Sequence, residues 1–352
     1  MQLKMDNNKI LIFVLDDGIN NSVFAGQVLQ PLLKKIEQNI YQKIYLVSFE
    51  KHVYCNDSSL EFPRDERLII IQFKRLPFLG KISLYPSIYQ LKKFLKNFNN
   101  YDLIARGPSA GWVAIKSIES NKCNFLTIQA RGLLAAEYEC THLKTKNLLK
   151  NIWHNFRKKA LFKVEKETFT QKKITNFCIE SVTFALKEYL IEHFGANPKK
   201  ITIAKDDFPE TIPHEKRNEF RSEIRKKLNV AENTHIYCYS GSVKAWQYPE
   251  LIIDFFKEKL TENNNIFLLI LTQDVHEFSN FLNKENLDSK YYKIINVQHS
   301  EIYKYLSACD TGLIFRKKDI VSWVSRPVKA MEYKSVGLNI VHNNTVKWLI
   351  DL

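Results

Sequence analysis

One stretch near the C-terminus, residues 309–342, constrains the fold most, because two short apolar runs flank a helix-like segment there. The runs at 311–315 and 338–341 are bounded by charged residues and glycine, as buried strands of a parallel sheet commonly are. Pro327 stands where a first-turn proline is tolerated, and Gly337 ends the helical pattern. Strand, loop, helix and strand make a βαβ unit, which offers a ligand the carboxyl end of its first strand and the amino end of its helix.

Charged residues in this stretch predict an anion site at that end of the unit. Arg316 follows the first strand, and Arg326 precedes the helix. The free N–H groups of Val328 and Lys329 at the helix start would face the same space, so a diphosphate would suit it. Glu332, one turn further along, could accept hydrogen bonds from hydroxyl groups of a ribose or sugar attached to that diphosphate. The alternative is that Glu332 is a solvated helix residue and the arginines are surface charges, since most charged side chains are exposed.

A resemblance to a known family lies at 326–341, RPVKAMEYKSVGLNIV. This segment resembles the part of the family 4 retaining glycosyltransferases, enzymes of the GT-B fold, that holds the donor nucleotide-sugar. The second glutamate of their Glu-x7-Glu signature falls on Glu332, and the first falls on Val324, which departs from the signature. A branch of the family that acts in surface-polysaccharide assembly carries a Pro-x-Lys-x-x-Glu-Tyr version, matched here by Pro327, Lys329, Glu332 and Tyr333. The resemblance implies a nucleotide site at Glu332 and leaves the contact to the transferred sugar open.

The loop that follows a predicted strand at 235–239 is a second candidate phosphate site. Gly241 and Ser242 give it a small-residue floor that suits close approach of a phosphate to the backbone. The loop resembles the Gly-Ser...Trp loop of the same branch, and Lys244 is a candidate contact to the diphosphate, with a solvated loop lysine as the alternative. By its position in the resemblance, Val297 would meet the base of the nucleotide.

Two predicted strands of the first half end near arginines, Arg106 and Arg131, at the edge where open α/β sheets bind ligands. QARGLLAAEYE resembles an Asp-x-Arg-Gly...Glu pattern of the same branch, with Gln129 in place of the Asp, and a glutamine cannot act as a general base. NSVFAGQ resembles the first-turn form Asn-x-Val-Phe-x-x-Gln, which makes Gln27 a candidate. The resemblance therefore implies an acceptor side at Arg106, Arg131 and Gln27. The alternatives are a helix cap for Gln27 and a buried pair of Arg131 with Glu137.

Length and composition bound the class of protein. With 352 residues the chain can hold two domains, each with its own core. The sequence has no uninterrupted apolar run of about 18 residues, and its start, MQLKMDNNK, lacks the apolar region of a signal peptide, so it predicts a cytoplasmic protein without a transmembrane helix. The six cysteines are widely spaced and form no CxxC pair, which argues against a zinc site and a disulfide framework.

The excess of positive charge lies in the first half of the chain. Residues 1–205 contain 32 Lys and Arg against 18 Asp and Glu, whereas residues 206–352 contain 20 of each kind. A basic half implies a polyanionic partner, either nucleic acid or an acidic membrane surface. The alternative is a compositional bias towards lysine that serves no partner. Nucleic acid is disfavoured, because outside a helix near Trp153 the aromatic residues are not interleaved with basic ones.

Residues 142–173 interrupt the alternation of predicted strands and helices. They contain ten Lys and Arg and two Glu, and apolar residues recur every four positions. Such a stripe with Trp153 beside cations would suit an anionic membrane interface, where each basic residue adds about 1 kcal/mol. The alternative is an ordinary amphipathic helix packed on its own domain. The resemblance adds that acceptors are often lipid-linked, so peripheral contact with an anionic membrane is a candidate partner interaction.

Apolar runs of strand length alternate with helical patterns in both halves, which predicts an α/β fold of two Rossmann-like domains with mostly parallel sheets. The predicted boundaries are 1–205 for the first domain, 206–230 for a linker and connecting helix, and 231–352 for the second domain. No GxGxxG follows the first run, so a dinucleotide is not expected there. The resemblance implies that the domains face each other across a cleft. It also implies some forty residues of crossover helices after Val341, where this sequence has far fewer, so the alternatives are a naturally short form and a sequence that lacks its end.

The function implied by the resemblance is transfer of a hexose, with retention and without a metal, from a nucleotide-diphospho-sugar to a glycan or lipid-linked acceptor in cell-surface polysaccharide or lipopolysaccharide synthesis. No Asp-x-Asp pair lies at a predicted strand end to hold a cation, and no cofactor is expected beyond the nucleotide-sugar co-substrate. The predicted catalytic residues are Arg316 and Lys244, which would neutralise the departing diphosphate, and Glu332, which would orient the donor. The predicted donor-binding residues are Gly241, Ser242, Val297, Arg326, Pro327, Val328 and Lys329. The rival interpretation, favoured by Val324 and Gln129, is a catalytically inactive nucleotide-sugar-binding scaffold of the same fold.

Overall fold

The structure is a computed structural model, and it describes residues 9–16, 18–20, 24–52, 65–142, 146–204, 209–243, 246–298 and 301–352. The chain divides into two compact units, Met1–Asp207 and Phe208–Leu352. Each unit contains one sheet of parallel strands with helices in most of the connections. The predicted α/β class with parallel sheets is therefore confirmed.

The sheet of the first unit is formed by the apolar runs that the sequence marked as strands. In chain order its described strands are β1 (Ile10–Leu15), β2 (Lys43–Glu50), β3 (Leu68–Lys74), β4 (Tyr101–Arg106), β5 (Cys123–Ala130), β6 (Phe177–Ser181) and β7 (Ile201–Ile203). They pair in parallel in the order β3-β2-β1-β4-β5-β6-β7. The order reverses between β1 and β4, and the carboxyl ends of strands at such a point are where open α/β sheets bind ligands.

Helices fill the connections of the first unit. In chain order those described are α1 (Gln30–Glu37), α2 (Tyr85–Leu95), α3 (Gly107–Ser117), α4 (Leu134–Thr141), α5 (Leu148–Phe169) and α6 (Phe184–Tyr189). One π-helical turn (Ala25–Leu29) precedes α1, and another (Leu190–Phe194) follows α6. Helix α3 fits closely between β5 and α5, because a Cβ on Gly111 would lie 2.7 Å from Thr168 Cγ2 and 3.1 Å from Ile128 Cγ2.

The second unit is built on a smaller sheet of the same kind. In chain order its described strands are β8 (His235–Ser240), β9 (Ile266–Leu271), β10 (Tyr292–Ile295), β11 (Thr311–Ile314) and β12 (Asn339–His342). These strands are parallel and lie in the order β10-β9-β8-β11-β12. Successive strands are added on one side of β8 up to β10 and then on its other side from β11, and we call the position between β8 and β11 the reversal point of this sheet. The helices described here are α7 (His214–Leu228), α8 (Pro249–Glu262), α9 (Val275–Lys284), α10 (Ile302–Ser307), α11 (Ile320–Trp323), α12 (Val328–Ser335) and α13 (Lys347–Ile350).

Helix α7, which the sequence analysis assigned to a connecting segment, lies within the second unit. Its Arg225 is only 1% exposed and donates hydrogen bonds to the carbonyl of Ala308 at 3.0 Å and to the carboxylate of Asp310 at 2.8 Å. Asp310 also accepts from the backbone N–H of Ile236 at the start of β8. The buried guanidinium therefore fixes α7 to the two strands that flank the reversal point.

Candidate functional site

The loop that leaves β8 is held in a defined conformation. The N–H of Gly241 donates to the Leu271 carbonyl at 2.9 Å, and the hydroxyl of Tyr239 donates to the Ser242 carbonyl at 2.7 Å. The N–H of Val243 donates to Asp274 Oδ2, at the N-cap of α9, at 2.8 Å. Gly241 has φ 146°, which favours glycine, and its backbone lies at the carboxyl end of β8, as the sequence predicted. Lys244 lies outside the described residues.

Arg316 lies two residues past the end of β11, at the other side of the reversal point. Its side chain is 8% exposed, and Nη1 donates to Ser325 Oγ at 2.9 Å. Its backbone N–H donates to Asn343 Oδ1 at 3.2 Å, and its carbonyl accepts from Asn343 Nδ2 at 2.8 Å. Arg316 also forms an antiparallel bridge with Gln247, which ties the β8 loop to the end of β11. Several contacts therefore fix this guanidinium at the carboxyl edge of the sheet.

Lys329 brings a second cation to the same edge. Its side chain, 7% exposed, extends from the first turn of α12, and its ammonium lies 4.0 Å from the centroid of the Tyr239 ring and 3.2 Å from Gln247 Oε1. A Cβ on Gly241 would approach Lys329 Nζ to 2.8 Å, so the loop glycine leaves room for the lysine. Burial, and then the charge of Arg316, hold the pKa of Lys329 well below its usual range. The sequence pattern pointed to the backbone N–H of Lys329, and this role of its side chain was not predicted.

Glu332 lies on the turn of α12 that follows Lys329. Its side chain is 7% exposed, and its carboxylate makes no hydrogen bond or ion pair with any residue that the structure describes. Burial raises the pKa of Glu332 to about 7, and the nearby charge of Lys329 opposes that rise. The alternative of surface charges is wrong for Arg316 and Glu332, because both side chains are buried. Two buried cations and one buried carboxyl group thus lie near one another where the strand order changes direction, between β8 and β11.

The aromatic side chain of Tyr333 packs α12 against strands β8 and β11. Tyr333 lies over Gly312 in β11, where any Cβ would overlap its ring. The backbone N–H of Ser240 at the end of β8 donates to the Tyr333 hydroxyl at 2.8 Å. Tyr333 is fully buried and thereby fixes the turn of helix that carries Lys329 and Glu332.

The remaining predicted donor residues differ in their burial. Pro327 is buried and is the N-cap of α12, so the helix begins where the sequence predicted. Arg326 and Val328 are half-buried on either side of it. Val297, two residues past β10, is half-buried and packs against the core of the second unit. No contact described by the structure distinguishes Val297 as a binding residue.

Two of the predicted acceptor-side residues meet at the reversal point of the first sheet. Arg106 ends β4, is 8% exposed, and donates a hydrogen bond from Nη2 to Gln27 Oε1 in the turn after β1. Gln27 therefore binds Arg106 through its amide oxygen and is not a helix cap. Arg131, just past β5, is half-buried. Gln129 uses its amide nitrogen to donate to Glu180 at 2.9 Å.

Two buried carboxylates in the first unit were not predicted. Glu165 of α5 is 1% exposed and accepts hydrogen bonds from the N–H groups of Leu134 and Ala135 at the start of α4, and burial raises its pKa to about 8. Glu50 at the end of β2 accepts from the N–H of Ile19 at 2.9 Å. Both fix loops at the carboxyl edge of the sheet. The sequence signal for Glu165 was an acid in the buried stripe of an amphipathic helix.

The described part of the chain shows neither a cluster of metal ligands nor a membrane-spanning helix. No group of three or more His, Cys, Asp or Glu side chains in the described part of the chain is arranged to hold a metal ion. Among the same residues, no helix is both long and apolar enough to cross a membrane.

Comparisons with known proteins identify the fold. No family model matches the chain, and no curated protein matches it in sequence. Solved structures similar to the chain include HepE from Anabaena in complex with UDP and glucose (TM-score 0.66, 12% identity, 97% of this chain and 82% of that chain covered). Others are WaaG, a glycosyltransferase involved in lipopolysaccharide biosynthesis (0.61, 12%, 97% and 83%), and sucrose-phosphate synthase from Thermosynechococcus elongatus (0.63, 12%, 97% and 83%). At this identity the likeness shows the fold, and the chain has the fold of the GT-B glycosyltransferases.

Proposed function

We propose that the protein is a glycosyltransferase that takes its sugar from a nucleotide-diphospho-sugar bound at the carboxyl edge of the second sheet. The observation that carries the proposal is the burial of Arg316 and Lys329 together at the reversal point between β8 and β11. Two buried like charges repel one another, and an anion placed between them would relieve that repulsion. A diphosphate is such an anion, since the similar HepE structure holds UDP, and the glycine of the β8 loop leaves room for the Lys329 ammonium beside it.

The proposed roles follow from charge. Arg316 and Lys329, with Lys244 as a further candidate, would stabilise the diphosphate as it leaves, which is where negative charge grows during the reaction. Glu332 would accept hydrogen bonds from hydroxyl groups of the nucleoside or the sugar, because its carboxylate has no protein donor among the described residues. We propose that the backbone at Gly241, Ser242, Pro327 and Val328, with Arg326 and Val297, completes the donor site. Retention of configuration, independence from metal and a hexose as the transferred sugar belong to this proposal.

The acceptor is proposed to be a glycan or a lipid-linked saccharide in surface polysaccharide or lipopolysaccharide synthesis, met on the cytoplasmic side of the membrane. Arg106 and Gln27, joined by a hydrogen bond at the reversal point of the first sheet, and the nearby Arg131 are the candidate acceptor residues. Peripheral contact of 142–173 with anionic lipid is the proposed means of reaching such an acceptor.

Titration of nucleoside diphosphates tests the donor site. We expect one of a panel of UDP, GDP, ADP and CDP to bind the wild-type protein, and Arg316→Met to weaken that binding about 10- to 100-fold, since a hydrogen bond to a charged group contributes about 1.5–3 kcal/mol. The matched control is Lys290→Met, which removes an exposed cation of the same unit that is paired with Asp288. Equal affinity of the two variants would remove Arg316 from the site and with it the main support for the proposal.

A catalytically inactive binder of nucleotide-sugars is the second candidate. Val324, at the position of the first signature glutamate, is 1% exposed, so an apolar side chain occupies that position within the protein. Release of nucleotide from the donor without acceptor separates the two functions. An enzyme releases nucleotide slowly and loses this activity in Glu332→Gln, whereas a scaffold binds the donor and releases none in either form.

A further inference from the structure

The N-terminal half of α5 extends beyond the core of the first unit. Its C-terminal half packs inward through Leu161 and Val164, so the ordinary amphipathic interpretation holds for that half only. In the N-terminal half, Leu149 is 77% exposed and Ile152 56%, and the rings of Trp153 and Phe156 stack with their centroids 5.8 Å apart. Large apolar side chains at this exposure are uncommon as a contiguous set on a soluble surface.

A second exposed apolar segment lies beside it. The segment comprises the connection from β3 to α2 and the first turns of α2, and its exposed members are Leu76, Leu79, Ile82, Tyr85 and Tyr89. Gly80, in its middle, touches α5, because a Cβ there would lie 3.8 Å from Ala160 Cβ and 3.9 Å from Phe156 Cζ. The two segments are therefore parts of one surface. We call it the apolar face and define it by residues 76–89 and 148–156; it holds more than half of the exposed large apolar side chains in the described part of the chain.

The exposed charge of α5 is positive, and the exposed Glu139 of α4 is paired with Lys158 of this helix. The exposed cations of α5 are Lys150, Lys159, Lys163 and Lys166. Both acids of the helix are engaged within the protein, because Glu165 is buried and Glu167 pairs with Lys81 and accepts from Trp112 Nε1 at 3.0 Å. A second copy of the chain seated on this face would bring lysines against lysines. A partner with an apolar interior and an anionic surface fits both properties.

We propose that the apolar face docks on an anionic lipid bilayer, with Leu149, Ile152 and Ile82 among the acyl chains and the lysines of α5 among the headgroups. The aromatic rings of Trp153 and Tyr89 suit the boundary between these two layers. This inference deepens the proposed function and rests on it for its purpose, since a lipid-linked acceptor lies in such a bilayer. The physical basis, an exposed apolar surface rimmed by cations, lies entirely in the first unit and needs no donor.

Flotation with lipid vesicles tests the docking surface. The wild-type protein is expected to bind vesicles of phosphatidylcholine with about 30% phosphatidylglycerol, and to bind pure phosphatidylcholine at least roughly tenfold more weakly, because each basic residue adds attraction to an anionic surface. Leu149→Glu with Ile82→Glu should reduce binding to the anionic vesicles by a further factor of about ten or more, since two apolar anchors are lost. Both side chains are over three-quarters exposed, so the fold should survive. The matched control is Phe184→Glu on α6, a side chain 67% exposed, which should bind like wild type.

Three results would overturn the docking proposal. They are equal binding to the two kinds of vesicle, wild-type binding by the double variant, and a dimer in solution that the double variant dissociates, which would make the apolar face a contact between copies. Affinity for nucleoside diphosphate, measured in parallel, distinguishes the two proposals. The double variant should keep that affinity unchanged, so loss of vesicle binding alone leaves the donor site intact, and failure of nucleotide binding leaves the docking surface intact.

Discussion

Burial of the Glu332 carboxyl group makes the stability of the protein depend on pH. Because its pKa is raised from 4.5 to about 7, the folded state holds a proton that the unfolded state releases in between. The folded state thus binds more protons across this window, and the free energy of unfolding falls as pH rises from about 4.5 to about 7. A shift of this size corresponds to roughly 3 kcal/mol, since one pKa unit is about 1.4 kcal/mol.

Glu332→Gln keeps the shape of this side chain and removes its titration. We expect chemical denaturation of the variant to show a flatter dependence of unfolding free energy on pH between 5 and 7 than wild type does. Glu277→Gln, at an exposed position of α9, is the control and should follow the wild-type curve. If the wild-type and Glu332→Gln curves run parallel, the carboxyl group titrates normally and does not lie in the buried environment described.

The burial and contacts of the Lys329 side chain could not be predicted from the residues around it in the sequence. Arg316 and Glu332 were placed at the site by their positions next to a strand end and within a motif. The ammonium of Lys329 finds its partners on Tyr239 and Gln247, more than eighty positions earlier in the chain. Contacts of that range depend on how α12 packs across β8. A buried lysine therefore looks like any other helix lysine until the sheet is assembled.

Strands were easier to predict than helices, and the reason is visible in α3 and α4. Every described strand coincides with a short run rich in apolar residues. Helix α3 begins with Gly107 and Pro108 and contains almost no polar face, because it is buried on nearly all sides between β5 and α5. Without a polar face no helical period is visible, and its first residues resemble a turn. Helix α4 has only one fully buried residue, so its pattern is equally weak.

The packing of α12 on β11 requires a glycine at position 312. Gly312→Ala would place a methyl group where the ring of Tyr333 lies, so either the ring or the helix must move. We expect a loss of about 1–3 kcal/mol in unfolding free energy, the usual cost of overpacking a core, and weaker nucleotide binding, because α12 carries Lys329 and Glu332. Denaturation and nucleotide titration of the same variant measure both effects.

A second substitution separates overpacking from other effects of Gly312→Ala. Tyr333→Leu removes the ring that the new methyl group meets, so the double variant should be destabilised by less than the sum of the two single changes. Strict additivity, or wild-type stability of Gly312→Ala alone, would mean that the ring does not pack on the glycine.

The two halves of the chain differ in where their positive charge lies. Among the described residues the lysines of the first half lie at least partly exposed, with a dense set along α5, whereas the second half has balanced totals but two cations buried at one edge of its sheet. Composition predicted the first of these, because most charged residues are exposed and an excess of lysine in the sequence therefore becomes an excess of surface charge. It could not predict the second, because burial depends on which strand ends are neighbours. The proposal therefore assigns lipid to the first unit and diphosphate to the second.

Hydrogen exchange measured on the whole protein tests the second of these assignments. A nucleoside diphosphate bound between Arg316 and Lys329 should slow amide exchange most in 239–243 and 315–333, because binding to the folded state suppresses the local openings that expose those amides. The strand ends of the first unit, such as 101–107 with Arg106, should respond less. Arg316→Met should reduce this slowing at a nucleotide concentration that just saturates the wild-type protein, because the variant binds the nucleotide more weakly. Slowing that is greatest around 101–107 would instead place the diphosphate at the hydrogen-bonded pair of Arg106 and Gln27, and the buried cations of the second unit would then need another ligand to account for their proximity.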